Sequence, residues 1–356
     1  MTTNVYVTST QTFSGKSALC VGLLSRFKRD GFHVGYIKPV STTARIVGDQ
    51  VMDEDAHFVK YTFGLAEPLE IMAPVILTDR RVGAILAGEA EDLDVHVQTA
   101  YQTIAQDKDI VVLEGGGSLR EGWIVDLAPP QVAALLEAHT LVLVPYDNDL
   151  QLVDDLITAR ARLGESLIGA VINRVPPHRI DFVENEVRPY VERHSVPIFA
   201  ILPKQRVLLS VSVAELADKL GGEVLCSHHA VDGLVQTLMV GAMSVDSALT
   251  YFRRKPNKAV ITGGDRPDIQ LAALETSTRC LILTGNIRPN PLILGRAEEV
   301  GVPVILTRQD TMSAVETIEA FFGKARFHQE KKVECFEELL SEHMDMEALY
   351  TALGLR

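Results

Sequence analysis

Ten residues near the start of the chain combine the residue types that bind phosphate. The stretch from Thr8 to Ser17 reads TSTQTFSGKS and ends in Gly15, Lys16 and Ser17. A loop of this kind at a helix N-terminus directs backbone N–H groups at an anion, and the helix dipole adds to the attraction. Lys16 adds a cation, and the Ser17 hydroxyl adds a ligand for magnesium. The stretch predicts a phosphate-binding loop, and a plain turn between a strand and a helix is the alternative.

The loop departs from the usual pattern at its first glycine. That position, five residues before Gly15, holds Thr10, and the spacing longer by one residue gives Ser9. The tripeptide Gly-Lys-Ser is common by chance, so the prediction of a phosphate loop depends on the elements around it. An alternating apolar stretch precedes the loop and a helical run follows it, which is the order strand, loop and helix. Thr12, inside the loop, is a further candidate contact for a nucleotide.

A second stretch, Asp109 to Gly117, also has residue types suited to chemistry. Its four apolar residues in a row fit a strand buried on both faces of a parallel sheet. Glu114 ends this run, and three glycines follow it: Gly115, Gly116 and Gly117. Glycines let the backbone approach a ligand, and an acid at such a strand end commonly supports a metal ion. A glycine-rich turn with a capping acid is the alternative to this nucleotide and metal contact.

Two more charged residues are expected near the same edge of the sheet. Lys38 ends a short apolar strand, and strand ends in open α/β sheets face the ligand crevice. It is a candidate for the same phosphates as Lys16, or else a solvated surface lysine. The segment from Val51 to Phe63 is acidic and then helical, with Asp53, Glu54 and Asp55 in or just before its first turn. These acids are partners of the helix dipole, or one of them is a magnesium ligand.

A later buried strand, from Leu167 to Ile172, ends in Asn173 and Arg174. An asparagine carboxamide can pair with the hydrogen-bonding edge of adenine, and an arginine can stack on the base. Both residues are therefore candidates for binding the nucleotide base. A plain loop asparagine is the alternative, and spacing alone favours it.

The strands and helices repeat in a βα pattern up to a boundary between Pro203 and Leu209. This repeat predicts an α/β fold with a doubly wound parallel sheet of the P-loop NTPase type. Beyond the boundary the pattern restarts on a smaller scale, which predicts a second, smaller parallel α/β domain. We place the domains at 1–208 and 209–325, followed by an acidic, amphipathic helical tail at 326–356.

The second domain has one distinctive turn, at a strand end before a helix. It contains Gly263, Gly264, Asp265 and Arg266. Such a turn suits an anion or a small effector, so these four residues form a candidate effector site. A tight connection between strand and helix is an equal alternative.

Composition narrows the classes of partner. At 356 residues, 47% hydrophobic and 23% charged, the chain is large enough for two cores. Its net charge of -13 argues against nucleic acid or an anionic membrane as a partner. Four scattered cysteines indicate neither a zinc site nor a disulfide framework, and no apolar run reaches the roughly 18 residues of a membrane span. No signal peptide precedes the first strand, so we expect a cytoplasmic protein.

With these motifs in view, the first domain resembles the dethiobiotin synthetase family, a branch of the P-loop fold. The second resembles the DRTGG domain through Asp265-Arg266 and Thr284-Gly285, with Asn286 in place of the last glycine. The two domains in this order are similar to the N-terminal half of long bacterial phosphotransacetylases.

The resemblance implies ATP and Mg²⁺ as cofactors and a homodimer with its sites at the subunit interface. It implies that Lys38 touches the phosphoryl group or the substrate and that Asn173 reads adenine. Five more residues match the family's contacts to the phosphates and the metal ion: Gly15, Lys16, Ser17, Asp55 and Glu114.

Some positions depart from the family. Gln11 stands where an aspartate is usual and Ser9 where a glycine is usual, and the turn after Lys38 is Ser41-Thr42-Thr43 instead of one like Ala-Ser-Gly. These changes favour retained ATP binding over dethiobiotin synthesis. The chain ends at Arg356, whereas a full phosphotransacetylase needs a further catalytic domain, so acetyl transfer is not expected from this chain alone.

Two functions remain open at this point. The first is a regulatory protein that senses a nucleotide and an unknown small metabolite and is linked by resemblance to acetyl-phosphate or acetyl-CoA metabolism. The second is an ATP-dependent ligase or synthase that phosphorylates a carboxylate or carbamate. The altered turn after Lys38 and the appended second domain favour regulation.

Overall fold

The computed structural model describes residues 2–42, 44–47, 50–89, 92–322, 327 and 329–355. The chain forms two compact units. The first contains Met1–Lys204 together with Phe327–Arg356, and the second contains Gln205–Arg326. The second unit is thus inserted into the sequence of the first. The C-terminal segment that the sequence sets apart as a tail groups with the first unit, although residue 326 itself lies outside the described residues.

The first unit is built on a parallel sheet of six strands in the order β10-β9-β8-β1-β7-β2. Its strands, with those of two small ribbons, are β1 (Thr3–Ser9), β2 (Val34–Ile37), β3 (Val40–Ser41), β4 (Ala44–Val47), β5 (Gln50–Asp53), β6 (Val75–Ile76), β7 (Ile110–Glu114), β8 (His139–Pro145), β9 (Leu167–Val175) and β10 (Ile198–Pro203). Its helices up to this point are α1 (Lys16–Arg29), α2 (Glu54–Phe63), α3 (Leu69–Met72), α4 (Asp79–Leu86), α5 (Leu93–Ile104), α6 (Pro129–Leu135), α7 (Asp149–Leu163), α8 (Ile180–Phe182) and α9 (Arg188–Glu192).

The burial of the strands shows that helices cover both faces of the six-stranded sheet. Every residue of β7 is buried, as expected of a strand covered by helices on both faces. The apolar clusters at α5 and α7 lie on one face of the sheet, which includes Tyr6, Leu113 and Val142, and α1 packs on β1 and β7 from the other face. This confirms the predicted α/β fold with a doubly wound parallel sheet. It also brings the carboxyl ends of β1, β7 and β2, which are neighbours in the sheet, to one edge.

The second unit has a smaller sheet of five strands in the order β12-β17-β16-β15-β14. Its strands are β11 (Val211–Ser212), β12 (Glu223–Val224), β13 (Leu234–Val235), β14 (Thr237–Val240), β15 (Lys258–Gly263), β16 (Thr278–Thr284) and β17 (Val304–Leu306). Its helices are α10 (Val213–Leu220), α11 (Val245–Arg253), α12 (Pro267–Leu274), α13 (Pro291–Val300) and α14 (Thr311–Phe321). Four strands are parallel, as predicted, and the edge strand β12 is antiparallel.

After the second unit the chain returns to the first with α15 (Glu330–His343) and α16 (Met346–Ala352). Phe336 and Leu340 of α15 are buried against α1. A Cβ atom at Gly22 of α1 would lie only 2.3 Å from Leu340 Cδ1, so glycine is required for this approach. The Tyr350 hydroxyl of α16 donates a hydrogen bond to Asp30 at the end of α1.

Two predicted elements differ in the structure. The sequence pattern predicts one helix from Asp181 to His194, and the structure interrupts it with a π-helical turn at Val183–Val187. Pro189 follows that turn, and proline lacks the N–H that a regular α-helical ladder needs. The strand expected from Val34 to Val40 ends at Ile37, before Pro39. Among the described residues, no helix is long and apolar enough to span a bilayer.

Candidate functional site

The loop between β1 and α1 has the geometry of a phosphate-binding loop. Helix α1 begins at Lys16, and Gly15 before it has a left-handed backbone with φ 104°. A Cβ atom at residue 15 would lie 2.8 Å from Asn173 Nδ2, so both its backbone angle and its surroundings require glycine. Thr12 and Phe13 at the tip of the loop are exposed.

Lys16 lies inside the site, with 8% of the residue exposed. Its Nζ donates a hydrogen bond to the Gly117 carbonyl oxygen at 3.0 Å. Burial lowers the pKa of Lys16, and the nearby carboxylates Glu114 and Glu121 act in the opposite direction. A buried cation held only by a carbonyl oxygen can exchange that oxygen for a phosphate oxygen.

Glu114 ends β7, directly beside β1 in the sheet. Its Oε1 accepts a hydrogen bond from Ser17 Oγ at 2.7 Å, and its Oε2 accepts one from the Tyr36 hydroxyl at 2.8 Å. Burial, followed by the charge of Asp55, raises the pKa of Glu114 to about 7. The structure therefore brings together the phosphate loop and the glycine-rich stretch after β7, because Glu114 accepts a hydrogen bond from Ser17.

Lys38 is buried between two acids beyond the end of β2. Its Nζ lies 2.6 Å from Asp55 Oδ2 and 2.9 Å from Asp53 Oδ2. Burial opposes the charge of Lys38, but the carboxylates of Asp55, Glu114 and Asp53 outweigh it and raise its pKa. Asp53 also caps α2 by accepting the Ala56 N–H at 2.8 Å. Lys38 is thus not a solvated surface lysine.

The charges and donors of this cluster fit a magnesium ion. The carboxylates of Asp53, Asp55 and Glu114 all act on Lys38, and after burial the charge of Asp55 is the next cause of the raised pKa of Glu114. In the described part of the chain no three His, Cys, Asp or Glu side chains form a metal site by themselves. Mg²⁺ typically takes one or two carboxylates and completes its shell with water and phosphate oxygens. Ser17, Asp55 and Glu114 supply oxygens of that kind.

Glu121 belongs to the site and was missed by the sequence analysis. Its carboxylate accepts hydrogen bonds from the Gly117 N–H and from the Thr42 hydroxyl. A Cβ atom at Gly117 would lie 2.3 Å from Glu121 Oε2, and one at Gly116 would lie 2.8 Å from Glu121 Oε1. These glycines therefore make room for Glu121. An acid shortly after a glycine triplet is the signal that could have identified it.

Two buried hydroxyls near the loop lack a partner. Thr8 Oγ1, at the end of β1, and Ser14 Oγ, inside the loop, are fully buried and make no hydrogen bond to the described residues. A Cβ atom at Gly115 would lie 3.2 Å from Thr8 Oγ1, which places this hydroxyl beside the glycine loop. Unpaired buried donors are costly, so they indicate a polar ligand or water at this edge. Sequence patterns gave no sign of them.

Asn173 and Arg174 also reach the loop. Asn173 Nδ2 donates to the Ser14 carbonyl at 2.8 Å, and the Arg174 guanidinium donates to the Phe13 carbonyl. Gly15, Lys16, Asn173 and Arg174 thus meet at one loop, and Thr12 lies beside Gly117, since a Cβ atom at Gly117 would lie 2.8 Å from Thr12 Cγ2. Thr43, the last residue of the turn after Lys38, lies outside the described residues.

In the second unit the predicted effector turn is closely packed. The Arg266 guanidinium forms two hydrogen bonds to the Asp268 carboxylate, both 3.0 Å long, and a third to the Met243 carbonyl at 3.2 Å. Gln270 donates to the carbonyls of Gly263 and Gly264. A Cβ atom at Gly264 would lie 1.9 Å from the Ile287 carbonyl oxygen, so this glycine is required for packing. Asp265 is exposed.

Comparisons with known proteins agree with this architecture. A family model described as an AAA domain matches residues 3–212, and one described as a DRTGG domain matches residues 215–321. A phosphate acetyltransferase from Nitratidesulfovibrio vulgaris is 26% identical over 375 positions, which cover 99% of this chain and 52% of that protein. An ATP-dependent dethiobiotin synthetase from Janthinobacterium sp. is 27% identical over 228 positions, covering 61% of this chain and 94% of that protein.

A solved structure of the CBS and DRTGG domains of a Clostridium perfringens pyrophosphatase is 26% identical over 32% of this chain and 50% of that one, with a TM-score of 0.29. The chain spans about half the length of the phosphate acetyltransferase it matches. The family matches confirm the resemblance to both the P-loop relatives and the DRTGG domain.

Proposed function

The chain belongs to the AAA domain family, which its residues 3–212 match, and from that premise we propose that its first unit binds Mg-ATP. The observation that carries this proposal is the contact between the phosphate loop and the strand-end acid, Ser17 Oγ to Glu114 Oε1 at 2.7 Å. In nucleotide-binding P-loop proteins a loop serine and a strand-end acid serve the same magnesium ion.

Each residue then has a defined task. Lys16 exchanges the Gly117 carbonyl for phosphate oxygens, and the N–H groups at the start of α1 face the same anion. Ser17, Asp55 and Glu114 would hold the metal ion. Bound Mg²⁺ supplies charge neutralisation of the phosphates. Lys38, already between acids, would contact the phosphoryl group or the substrate.

We propose that the protein uses this site to sense a nucleotide and that its second unit receives a metabolite or partner. Likeness to a phosphate acetyltransferase over 99% of the chain supports a link to acetyl-phosphate or acetyl-CoA metabolism. The contact between Thr42 and Glu121 also supports regulation, because it ties the altered turn after Lys38 to the glycine loop through Glu121.

The second candidate function is an ATP-dependent ligase that phosphorylates a carboxylate or carbamate. The buried Lys38, held by Asp53 and Asp55 at the strand edge, favours it, since a fixed cation there can serve a phosphoryl transfer. Likeness to a dethiobiotin synthetase over 94% of that protein supports it too.

A thermal-shift screen followed by a turnover assay separates the two candidates. The purified protein is screened against nucleotides, acetyl-phosphate, acetyl-CoA and small carboxylic acids, each with Mg²⁺. Stabilisation by ATP without turnover under any combination supports sensing. ADP release that depends on a carboxylic acid or amine supports the ligase. No stabilisation by any nucleotide would remove both candidates.

We expect a homodimer, by resemblance to the dethiobiotin synthetases. Large apolar side chains are exposed just after three neighbouring strands of the first unit: Phe13 after β1, Trp123 after β7 and Leu150 after β8. Light scattering should therefore give about twice the 39.0 kDa of the chain. Trp123→Glu should shift the mass towards the monomer, whereas Leu86→Glu, at an even more exposed apolar residue of α4, should not. A monomeric wild type at micromolar concentration would contradict the prediction.

Arg266→Ala tests whether the turn of the second unit binds an effector. An anionic ligand there would replace Asp268 as the partner of the Arg266 guanidinium. An exposed ion pair of this kind stabilises by only about 0 to 1 kcal/mol, so breaking it costs little free energy. We expect the variant to keep its stabilisation by Mg-ATP and to lose its response to the metabolite found in the screen. Arg296→Ala removes a similar surface pair of the same unit and serves as the control. If both responses survive in Arg266→Ala, the turn is a connection only.

A further inference from the structure

Glu121 is the acid of the site that no sequence pattern predicted, and its contacts hold it beside the phosphate loop. We infer that its carboxylate competes with the terminal phosphate of a bound nucleotide, so that the first unit distinguishes ATP from ADP. This inference rests on the nucleotide binding proposed for the first unit, and it names the difference between nucleotides that the site senses.

The carboxylate of Glu121 bridges two loops that follow different strands. Its Oε2 accepts a hydrogen bond from the Gly117 N–H, in the glycine loop after β7, and its Oε1 accepts one from the Thr42 hydroxyl, directly after β3. Hydrogen bonds to a charged acceptor are stronger than those between neutral groups. Glu121 therefore holds these two donors as a bound anion would.

The glycine loop leaves space for this carboxylate. A Cβ atom at Gly116 would lie 2.8 Å from Glu121 Oε1, and one at Gly117 would lie 2.3 Å from Glu121 Oε2. On the side of the phosphate loop, the Cβ atom at Gly117 would lie 2.8 Å from Thr12 Cγ2. Because these positions are glycine, a carboxylate can lie directly against the backbone that borders the phosphate loop.

Gly117 also connects Glu121 to Lys16. The carbonyl oxygen of Gly117 accepts the hydrogen bond from Lys16 Nζ at 3.0 Å, while its N–H binds Glu121. Burial lowers the pKa of Lys16, and the charges of Glu114 and then Glu121 oppose this effect, so the Glu121 charge acts on this lysine. The lysine of a phosphate loop reaches the β- and γ-phosphates. Glu121 is thus one residue away from the cation that would bind the terminal phosphate.

A terminal phosphate at Lys16 and a carboxylate on Gly117 carry charges of the same sign at neighbouring positions. Glu121 is half-buried, and partly buried charges are screened much less than exposed ones. ADP lacks the terminal phosphate and leaves Glu121 on its two donors, whereas ATP repels it from them. Its release frees Thr42 and loosens residues 118–126, the segment that carries Glu121.

The affinities of matched variants for ATP and ADP, each with Mg²⁺, test the inference. Glu121→Gln keeps the size of the side chain and an oxygen for the Gly117 N–H, but it removes the competing charge. We expect its affinity for ATP to rise about fivefold or more and its affinity for ADP to stay within about twofold of the wild type. Asp126→Asn removes an exposed charge of the same segment that contacts Gln131, and it should change neither affinity.

Thr42→Val tests the same contact without a change of charge. Valine has nearly the shape of threonine but lacks the hydroxyl, so Glu121 keeps only one of its two donors. We expect affinity for ATP to rise by a smaller factor, about twofold to fivefold, and affinity for ADP to stay the same. Thr103→Val removes another exposed hydroxyl bond, to the Thr99 carbonyl at 2.9 Å, and serves as the control.

Hydrogen exchange provides a second readout, because the expected change is opposite to ordinary protection by a ligand. Mg-ATP should slow exchange in residues 8–17 and speed it in residues 118–126, since Glu121 leaves Gly117. Mg-ADP should slow the first segment and leave the second unchanged. In Thr42→Val, residues 118–126 should exchange faster than in the wild type before any nucleotide is added.

The outcomes separate the inference from the proposed function. Equal gains for ATP and ADP in Glu121→Gln would show a general effect of charge and would overturn the inference, as would an unchanged or lower affinity for ATP. Slower or unchanged exchange of residues 118–126 with Mg-ATP would also overturn it. If the wild type binds both nucleotides and the variants match it, only the inference is excluded. A wild type that binds neither nucleotide excludes the proposed function as well.

Discussion

Lys16→Ala should abolish the stabilisation of the protein by Mg-ATP. A ligand at one hundred times its Kd stabilises a protein by about 2.7 kcal/mol, which corresponds to a rise in melting temperature of roughly 5 to 10 °C for a unit of this size. Lys16 belongs to the loop itself, and alanine removes the cation that would bind the phosphates there. The measurement is a melting curve with and without Mg-ATP, and the variant should show no shift.

The control for this experiment lies on the same helix. Lys28 is an exposed lysine of α1 whose Nζ contacts the Phe63 carbonyl, and Lys28→Ala should retain the full shift. This comparison separates loss of the phosphate contact from a general loss of charge or helix stability. An equal shift in wild type and Lys16→Ala would remove the phosphate-loop interpretation.

Glu114→Gln should remove most of the dependence of ATP binding on magnesium. Glutamine keeps the size of the side chain. Its amide oxygen accepts from one of the Ser17 and Tyr36 hydroxyls and its NH2 group donates to the other, so the fold is retained. It lacks the negative charge that attracts the metal ion. Titration with ATP at increasing Mg²⁺ concentration measures this effect. We expect a steep gain in affinity for the wild type and a nearly flat response for the variant.

The same substitution should change how the stability of the nucleotide-free protein depends on pH. The pKa of Glu114 is raised from 4.5 to about 7, so the folded protein holds this proton more tightly than the unfolded chain does. Its stabilising contribution is complete below about pH 4.5 and is lost as the pH rises to about 7. Above neutral pH the buried charge is destabilising.

Chemical denaturation without metal should show this difference between pH 5 and 8. Relative to Glu114→Gln, the wild type loses free energy of unfolding across that range, and magnesium with nucleotide restores it. Glu186→Gln, at an exposed acid of the same unit, should follow the wild type. Parallel pH profiles for wild type and Glu114→Gln, together with equal magnesium dependence, would exclude Glu114 from the metal site.

The contact between Ser17 and Glu114 was predictable because it follows from the rules of parallel sheets. Each residue lies at the carboxyl end of a strand or in the loop that follows it, and parallel strands bring those ends to one edge. The same rule predicted Lys38 near them, whereas Asp55 follows a strand of a separate ribbon and was suggested by the family resemblance. A strong local pattern identified each strand, and the parallel α/β fold class then predicted that the strand ends meet at one edge of the sheet.

Other features depend on loop packing that no local pattern encodes. Glu121 reaches the site only because its loop folds back over Gly117, and the pairing of Asn173 with Ser14 spans 159 positions of sequence. The partnerless hydroxyls of Thr8 and Ser14 depend on what surrounds them, not on their type. The sequence identified Asn173 as an amide at a strand end, but it did not predict that the Ser14 carbonyl is its hydrogen-bond partner.

The return of α15 to α1 has a consequence for how the protein is made. Chains emerge from the ribosome N-terminus first, and domains generally fold as they appear. Residues 205–326 can complete their own core while the groove around Gly22 still lacks Phe336 and Leu340. The helix that starts at Lys16 thus keeps an apolar face uncovered through most of synthesis. Among the described helices of the first unit, α1 is synthesised first but its burial is completed last. We expect chaperones to bind the nascent chain during this interval.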